Sequence, residues 1–518
     1  MDCSRTSPRV GRYSTGAATG WYAQGGRSLR RAGLQYVGEY SIAVSIFLFA
    51  VWLGAIPAQA EPAVRSQTVQ VLLTSDVHFE AFWDPVKVRR LAEAPVEKWA
   101  SIFASPDSGD RQQRFAALEQ TCHVRGEDTS YPLLRSSLTA MRSHASRPSY
   151  IVLSGDLVAH AFRCKFDATF PGARPAQYRA FVEKTIEFVL LQVRITFPGT
   201  PVFASLGNND TDCGDYEINA GSPFLLALAP AFTKDVHGPL HEAALKSFAA
   251  EGDYSAALPP PFHKTRLLVL DNLFEAVKYQ SCSGNPDLQA GRSQVAWLQG
   301  QLEAARRNRQ HVWVVAHIPP GIDPYATVRK AVNVCAGQPP VDFLSSNALG
   351  QTLADFSDVV RLAIFAHTHM DEIRLLRSRQ AGSGGSAVAA KLVPSISPVN
   401  GNHPSFLVAR VAPGSATLDD YKVIVASNKT GIGTQWTEEY DFGQEYHQAK
   451  FDSPSVAALV QSFSADPSAT QRASQSYAQN FFVGRNIPEL KPFWPQYVCA
   501  LSNMSASAYR SCVCAAAK

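Results

Sequence analysis

The sequence predicts an α/β fold with a layered sheet. Two observations carry that expectation. First, apolar, β-branched runs alternate with segments of helical period through most of the chain. Second, five of those runs end in residues that can ligate a metal: VLLTSDVH (71–78), YIVLSGD (150–156), VFASLGNND (202–210), VWVVAH (312–317) and LAIFAHTHMDE (362–372). Ligands of open α/β sheets bind outside the strand ends, so five such ends can meet in one cleft.

Taken in order, 69–74 is the first strand, and 79–130, with Trp83 and Trp99, is of mixed polarity and is read as an insertion over the cleft. A helix is predicted over 131–143 and a strand over 150–153. Phe181, Ile186, Val189 and Leu190 lie at helical spacing, which predicts a helix over 176–193. A strand at 202–206 precedes a second insertion, 211–261, rich in Ala, Pro and Phe. The strand 265–270 ends in Asp271-Asn272. Val295, Leu298 and Leu302 share one face of an amphipathic helix over 293–307. A strand at 312–315, a helix near 349–356 and a strand at 361–365 follow. Beyond residue 386 the pattern changes. The runs 387–393, 405–411 and 416–426, joined by Pro- and Gly-containing turns, are expected to be successive antiparallel strands. Helix-like segments return from Glu445 and end in a Cys-rich tail, read as a small helical C-terminal domain over 445–518.

Composition narrows the function. With 46% hydrophobic and 18% charged residues in 518, the chain is globular and not disordered. A net charge of +4 is too small at this size to argue for nucleic-acid or membrane-surface binding. Residues 42–56 form an apolar run followed by Pro57-Ala58-Gln59-Ala60-Glu61. Basic residues, a short apolar core and Ala-x-Ala predict a leader over 1–60 with cleavage after Ala60, and hence a periplasmic or secreted protein. The run is shorter than the roughly 20 residues a spanning helix needs; an uncleaved membrane anchor is the alternative. Eight cysteines follow the leader, an even number that predicts disulfides without fixing their pairing.

The strand-end residues fit phosphate-ester hydrolysis. Two metal ions about 3.5–4 Å apart activate a bridging water as nucleophile and clamp the phosphate oxygens. Such a pair needs about seven protein ligands, one of them a bridging carboxylate. The chain offers Asp76, His78, Asp156, Asn208, His317, His367 and His369. Imidazole suits zinc or iron, and the oxygen donors also suit harder ions such as manganese. Gly155 precedes Asp156 and Gly207 precedes Asn208, each letting the backbone turn sharply beside a ligand.

Asp-x-His, Gly-Asp, Gly-Asn-Asn-Asp, His and His-x-His, in that order, resemble the calcineurin-like metallophosphoesterase family. Gly155-Asp156-Leu157-Val158-Ala159-His160, Ala316-His317-Ile318-Pro319-Pro320-Gly321 and His367-Thr368-His369-Met370-Asp371-Glu372 are similar to its acid sphingomyelinase-like phosphodiesterase branch. So are 394–398, Asn402-His403-Pro404-Ser405-Phe406 and the Cys-containing tail. The resemblance implies a four-layer αββα sandwich of two mixed sheets flanked by helices. It places Asp76, His78, Asp156 and His369 on one metal, and Asp156, Asn208, His317 and His367 on the other. Zinc is the expected metal, with iron or manganese possible.

Two departures stand out. Ala366 occupies the place of a frequent Gly before His-x-His. Asn209 occupies the place of a histidine that is a usual phosphate contact, and Gly207-Asn208-Asn209-Asp210 is similar to endopolyphosphatase relatives. His160, four residues beyond Asp156, is then the nearest candidate proton donor, with Asp210 the weaker one. Catalytic residues are expected at His160, Asn208 and Asp210, and substrate contacts at His160, Asn209 and His403. The expected function is an exported phosphodiesterase or phosphoanhydride hydrolase, working as a monomer on a small-molecule, lipid-headgroup, nucleotide or polyphosphate substrate. A phosphomonoesterase, an endopolyphosphatase-like hydrolase and a catalytically silent metal-stabilised binding protein are the alternatives.

Overall fold

Two six-stranded sheets account for nearly all the predicted strands. The computed structural model describes residues 67–285, 287–378, 386–484 and 490–516; the expected leader and its cleavage site lie outside them. The strands are β1 (Val69–Thr74), β2 (Ile151–Ser154), β3 (Val202–Ser205), β4 (Tyr254–Ala257), β5 (Thr265–Val269), β6 (His311–Val315), β7 (Val360–Phe365), β8 (Glu372–Arg377), β9 (Ala387–Leu392), β10 (Ser405–Ala412), β11 (Thr417–Ala426) and β12 (Trp436–Asp441). The first sheet runs β12-β11-β10-β1-β2-β3 and the second β4-β5-β6-β7-β9-β8. In the first, β1, β2 and β3 are parallel and β10 joins β1 antiparallel. In the second, β5, β6, β7 and β9 are parallel, with β4 and β8 antiparallel at the edges.

The sheets stack face to face. Tyr150, entering β2, meets Trp313 of β6 with ring centroids 5.9 Å apart, and the Trp313 indole donates to the Ala416 carbonyl at 2.7 Å. The helices Tyr131–His144 and Pro175–Thr196 cover the first sheet, and Leu288–Arg307, Ala348–Asp355 and Ser453–Ser464 cover the second. These are the four layers the resemblance implies. Local chemistry sets their ends: Ser130 caps the helix Tyr131–His144 by accepting from the Leu133 amide, and Pro175 opens the helix Pro175–Thr196.

Several expectations need correction. The run 387–393 does not pair with 405–411: β9 lies in the second sheet beside β7 and β8, and β10 lies in the first. Adjacency in sequence does not choose a sheet when the connection crosses between layers. Strands β4, β8 and β12 were not predicted. Their sequences, YSAA, EIRLLR and WTEEYD, are short or charged and lack a clean apolar alternation. Strand β8 is nevertheless buried over its first five residues, because Glu372 and Arg374 pair within it. The insertion 79–130 folds as short helices, and its Trp99 and Phe103 pack on Phe188 of the helix layer. Its last residues return to the strand ends.

The eight cysteines among the described residues all pair: Cys122–Cys164, Cys213–Cys282, Cys335–Cys514 and Cys499–Cys512. The last two tie the tail to the body and to itself. A disulfide is typically worth about 2–4 kcal/mol. The C-terminal helices close the open edge of β8: Tyr477 Oη accepts from the Ile373 amide at 3.2 Å, and the Leu501 carbonyl from the Leu375 amide at 2.8 Å.

Candidate metal centre

The parallel strands of both sheets point their C-terminal ends at one spot, and the turns leaving them carry the ligand candidates. Those turns are tight. Asp76, His78, Asp156, His367 and His369 all have left-handed backbone, with φ between 43° and 74°. Each such non-glycine residue costs about 1–3 kcal/mol and persists only where surrounding structure fixes it. Ala366 is not among the left-handed residues, so an alanine is accommodated there. The two glycines cannot be replaced so easily. A Cβ on Gly207 would stand 2.2 Å from Asp156 Oδ1, and one on Gly155 2.7 Å from His317 Nδ1.

The side chains converge. His317 Nε2 lies 3.1 Å and His78 Nε2 3.4 Å from Asp156 Oδ2. His369 Nε2 lies 3.6 Å from Asp76 Oδ1 and 3.2 Å from His78 Nε2. The His317 and His367 rings stand 5.2 Å apart at 80°. At this centre His78, His160 and His369 have metal-like spacing, as do two overlapping groups with a carboxylate: Asp76, His78 and Asp156, and Asp156, His317 and His367. Asp156 belongs to both. Around them, Asp76 Oδ1, Asn208 Oδ1, His317 Nε2 and His369 Nδ1 are buried without a hydrogen-bond partner. Orphaned buried donors and acceptors are costly unless something fills the gap. Divalent ions would do so, and the nitrogen–oxygen donor set fits them.

Electrostatics agree. Burial opposes ionisation of Asp76 and Asp156, yet His317 and His78 beside them hold both carboxyls below their usual range. Burial drives His367 and His369 down to about 3, which keeps them neutral and able to ligate. Burial also opposes charge on His78 and His317, but Asp156 pushes them up to about 10 and about 9. The paired carboxylates therefore draw positive charge to this spot, as a divalent ion would supply it.

A surrounding set of residues orients these groups. His78 Nδ1 faces the Val158 carbonyl at 3.0 Å and His317 Nδ1 the Ser154 carbonyl at 2.7 Å, which leaves each Nε2 for the centre. Asn208 donates through Nδ2 to Asp215 at 2.7 Å, which turns its Oδ1 inward. Tyr216 Oη lies 3.3 Å from His367 Nε2. Asp371, two residues past His369, pairs with buried Lys391 and accepts from the Tyr440 hydroxyl. Sequence reasoning missed Asp128, Asp215, Tyr216 and Lys391. All four meet the site only through tertiary packing, and the first three come from the two undecoded insertions or their borders.

The other predicted residues separate. His160 is at the site: its ring stacks on His78 at 3.9 Å, and Asp128 contacts its Nδ1 at 3.0 and 3.2 Å and its backbone amide at 2.7 Å. Asn209 turns inward, donating to Asp156 from its amide nitrogen at 2.8 Å and its side chain at 3.0 Å. That side chain therefore orients Asp156. Asp210 is fully buried and accepts from the Leu157, Val158 and Gly207 amides, binding the β2 and β3 turns together. His403 points its Nδ1 at the Ala426 carbonyl at 2.7 Å and packs beside Gly484; it makes no hydrogen bond or ring contact with the seven ligand candidates among the described residues.

Of three recesses, only the one at His367 is lined by a ligand candidate. It holds about 300 Å³ and opens at His367 and Thr368; one of about 650 Å³ reaches Asn209, Asp215 and Ala161. A third, about 740 Å³, lies between Trp83, Arg135 and Trp436 and contains none of the seven ligand candidates.

Comparison with known proteins identifies the family. The chain is 24% identical over 401 residues to the cyclic GMP-AMP phosphodiesterase SMPDL3A of Mus musculus, covering 74% of this chain and 82% of that one. It is 24% identical over 415 residues to the human acid sphingomyelinase-like phosphodiesterase 3b, covering 74% and 80%. Among solved structures, a dimetal phosphatase from Danio rerio aligns with a TM-score of 0.38 and 12% identity, over 72% of this chain and 99% of that one. A model of the calcineurin-like phosphoesterase family matches residues 69–371, more than half of the sequence and the span that holds all seven ligand candidates. The chain is a phosphoric ester hydrolase and belongs to the calcineurin-like phosphoesterase family.

Proposed function

We propose that this protein is an exported phosphodiesterase with two divalent metal ions, zinc being the best match to its histidine-rich donors. Asp76, His78, Asp156 and His369 would hold one ion and Asp156, Asn208, His317 and His367 the other. The bound ions supply a water of lowered pKa and positive charge for the phosphate oxygens. The observation that carries a diester over a monoester is the likeness to two phosphodiesterases over 74% of this chain; the recess that opens at His367 gives one ester arm a place. Four disulfides support an oxidising compartment. In this reading residues 1–60 are a leader, 61–444 the phosphoesterase domain and 445–518 its helical brace.

The test is turnover of bis-p-nitrophenyl phosphate against p-nitrophenyl phosphate, with and without chelator. It is made on protein recovered from periplasm or medium, whose N-terminus is expected at Glu61. Diester turnover that the chelator abolishes is the expected result. Monoester turnover alone supports a phosphomonoesterase, and no turnover supports a silent binding protein.

His160 is the proton donor to the leaving oxygen in this reading. Asp128 holds its Nδ1, so Nε2 is the nitrogen left for substrate. Burial pushes the Asp128 carboxyl up, but His160, His78 and Lys165 more than offset it and keep Asp128 a carboxylate. General acid catalysis is typically worth about 10²–10⁴-fold. His160→Ala should lose about that much on esters with poor leaving groups and little on p-nitrophenyl esters. Equal losses on both would make His160 a phosphate ligand and not the acid.

A further inference from the structure

We infer that the Cys213–Cys282 disulfide is a positioning device for the second metal site, the one assigned to Asp156, Asn208, His317 and His367. This rests on the two-metal reading and adds what keeps that site in register. Two of its ligand candidates are aimed by neighbours on a single loop. Asp215 accepts from Asn208 Nδ2 at 2.7 Å, and Tyr216 Oη stands 3.3 Å from His367 Nε2. Both neighbours lie between β3 and the helix Pro223–Phe232, a stretch with no helix or strand of its own. The segment facing it, 276–285, is equally irregular.

A loop holds a side chain to the accuracy a metal ligand needs only where its backbone is fixed. From Tyr216 onward hydrogen bonds fix it. The Gln280 amide donates to the Tyr216 carbonyl at 3.0 Å, the Ile218 amide to the Gln280 carbonyl at 3.2 Å, and Tyr279 Oη to the Ile218 carbonyl at 3.2 Å. Lys278 sets its ammonium 4.9 Å over the Tyr216 ring. The Tyr216 amide also reaches back to the Asn208 carbonyl at 2.9 Å. On the other side of Asp215 the tie is covalent: Cys213, which precedes Asp215, is bonded to Cys282 of the facing segment. Asp215 and Tyr216 are thus held from both sides against one partner segment. The bridge joins loop to loop and no two core elements, so what it restrains first is where these two side chains point.

The experiment measures Zn²⁺ affinity on full-length mature protein by competition with a chromogenic chelator. Groups that orient metal ligands are typically worth about 10–100-fold in metal affinity. Cys213→Ser with Cys282→Ser should weaken one of two equivalents by about that factor and leave the other. The control is Cys335→Ser with Cys514→Ser, whose bridge spans 179 residues against 69 and so contributes at least as much to overall stability. It should keep both equivalents. Equal weakening in the control, or two undiminished equivalents in the first pair, overturns the inference. Tyr216→Phe and Asp215→Ala keep the disulfide and should each weaken one equivalent. In the serine pair they should add little, since all act through the same contacts; full additivity overturns the inference. So does no effect of either change in the disulfide-bonded protein, whether or not the serine pair folds. Wild type that binds fewer than two Zn²⁺ refutes the two-metal reading instead. Amide hydrogen exchange on metal-free protein then decides the staple: 213–217 should exchange about tenfold faster in the serine pair than in the control. Equal exchange overturns it.

Discussion

Asp156→Asn should lower kcat by about 10³-fold or more, close to 4 kcal/mol of transition-state stabilisation. Asp156 is the one carboxylate that belongs to both groups of metal-like spacing. Its Oδ2 faces two imidazole nitrogens, and the amide and side chain of Asn209 fix its orientation. An asparagine keeps the shape and removes the charge. It also turns an NH₂ toward either Asn209 or the two histidines, where an acceptor is needed. Metal content should fall below two equivalents per chain, because a neutral amide cannot replace a bridging carboxylate. The fold should survive, since Asp210 still ties the β2 and β3 turns together through three amides. Elemental analysis, circular dichroism and kinetics on the same preparation decide the matter. Two full equivalents of metal with near-normal activity would overturn the assignment of Asp156.

Lys391→Met should destabilise the protein by about 3–5 kcal/mol. Lys391 is fully buried on β9, pairs with Asp371 and donates to the Glu372 carbonyl at 3.1 Å. Its ammonium also lies 4.9 Å above the Tyr421 ring. Removing it strands a buried carboxylate, which costs more than the pair itself contributes. The effect should reach function, because Asp371 is the second residue beyond His369 and anchors that turn through Lys391 and Tyr440. The measurement is the shift in denaturant midpoint, with metal content on the folded variant. Asp371→Asn combined with Lys391→Met should recover part of the loss, since the stranded charge is gone. A loss under about 1 kcal/mol in the single variant would show that the pair is no clamp.

Much of the fold was legible in the sequence. Apolar β-branched runs mark nine of the twelve strands among the described residues, since a strand buried between layers has few polar positions. The helix Pro175–Thr196 and the amphipathic helix Leu288–Arg307 follow from 3.6-residue spacing. The missed strands show the limit. Strand β8 reads as charged because Glu372 and Arg374 neutralise each other inside the fold, a pairing no local pattern announces.

The candidate site divides the same way. By itself the sequence determined the ligand candidates, because each is a metal-competent residue directly after an apolar strand, and parallel strands bring such ends to one edge. It determined the even cysteine number but not the pairing. Only the tertiary structure decided how those ligands are held. Asp128 reaches His160 from 32 residues away, Tyr216 reaches His367 from 151 and the Tyr440 hydroxyl reaches Asp371 from 69. It also turned Asn209 and Asp210, neighbours of Asn208 in the same motif, to different bonding partners. The physical reason is that residue type fixes what a side chain can bond, whereas burial and backbone handedness, set by long-range packing, fix which partner it meets.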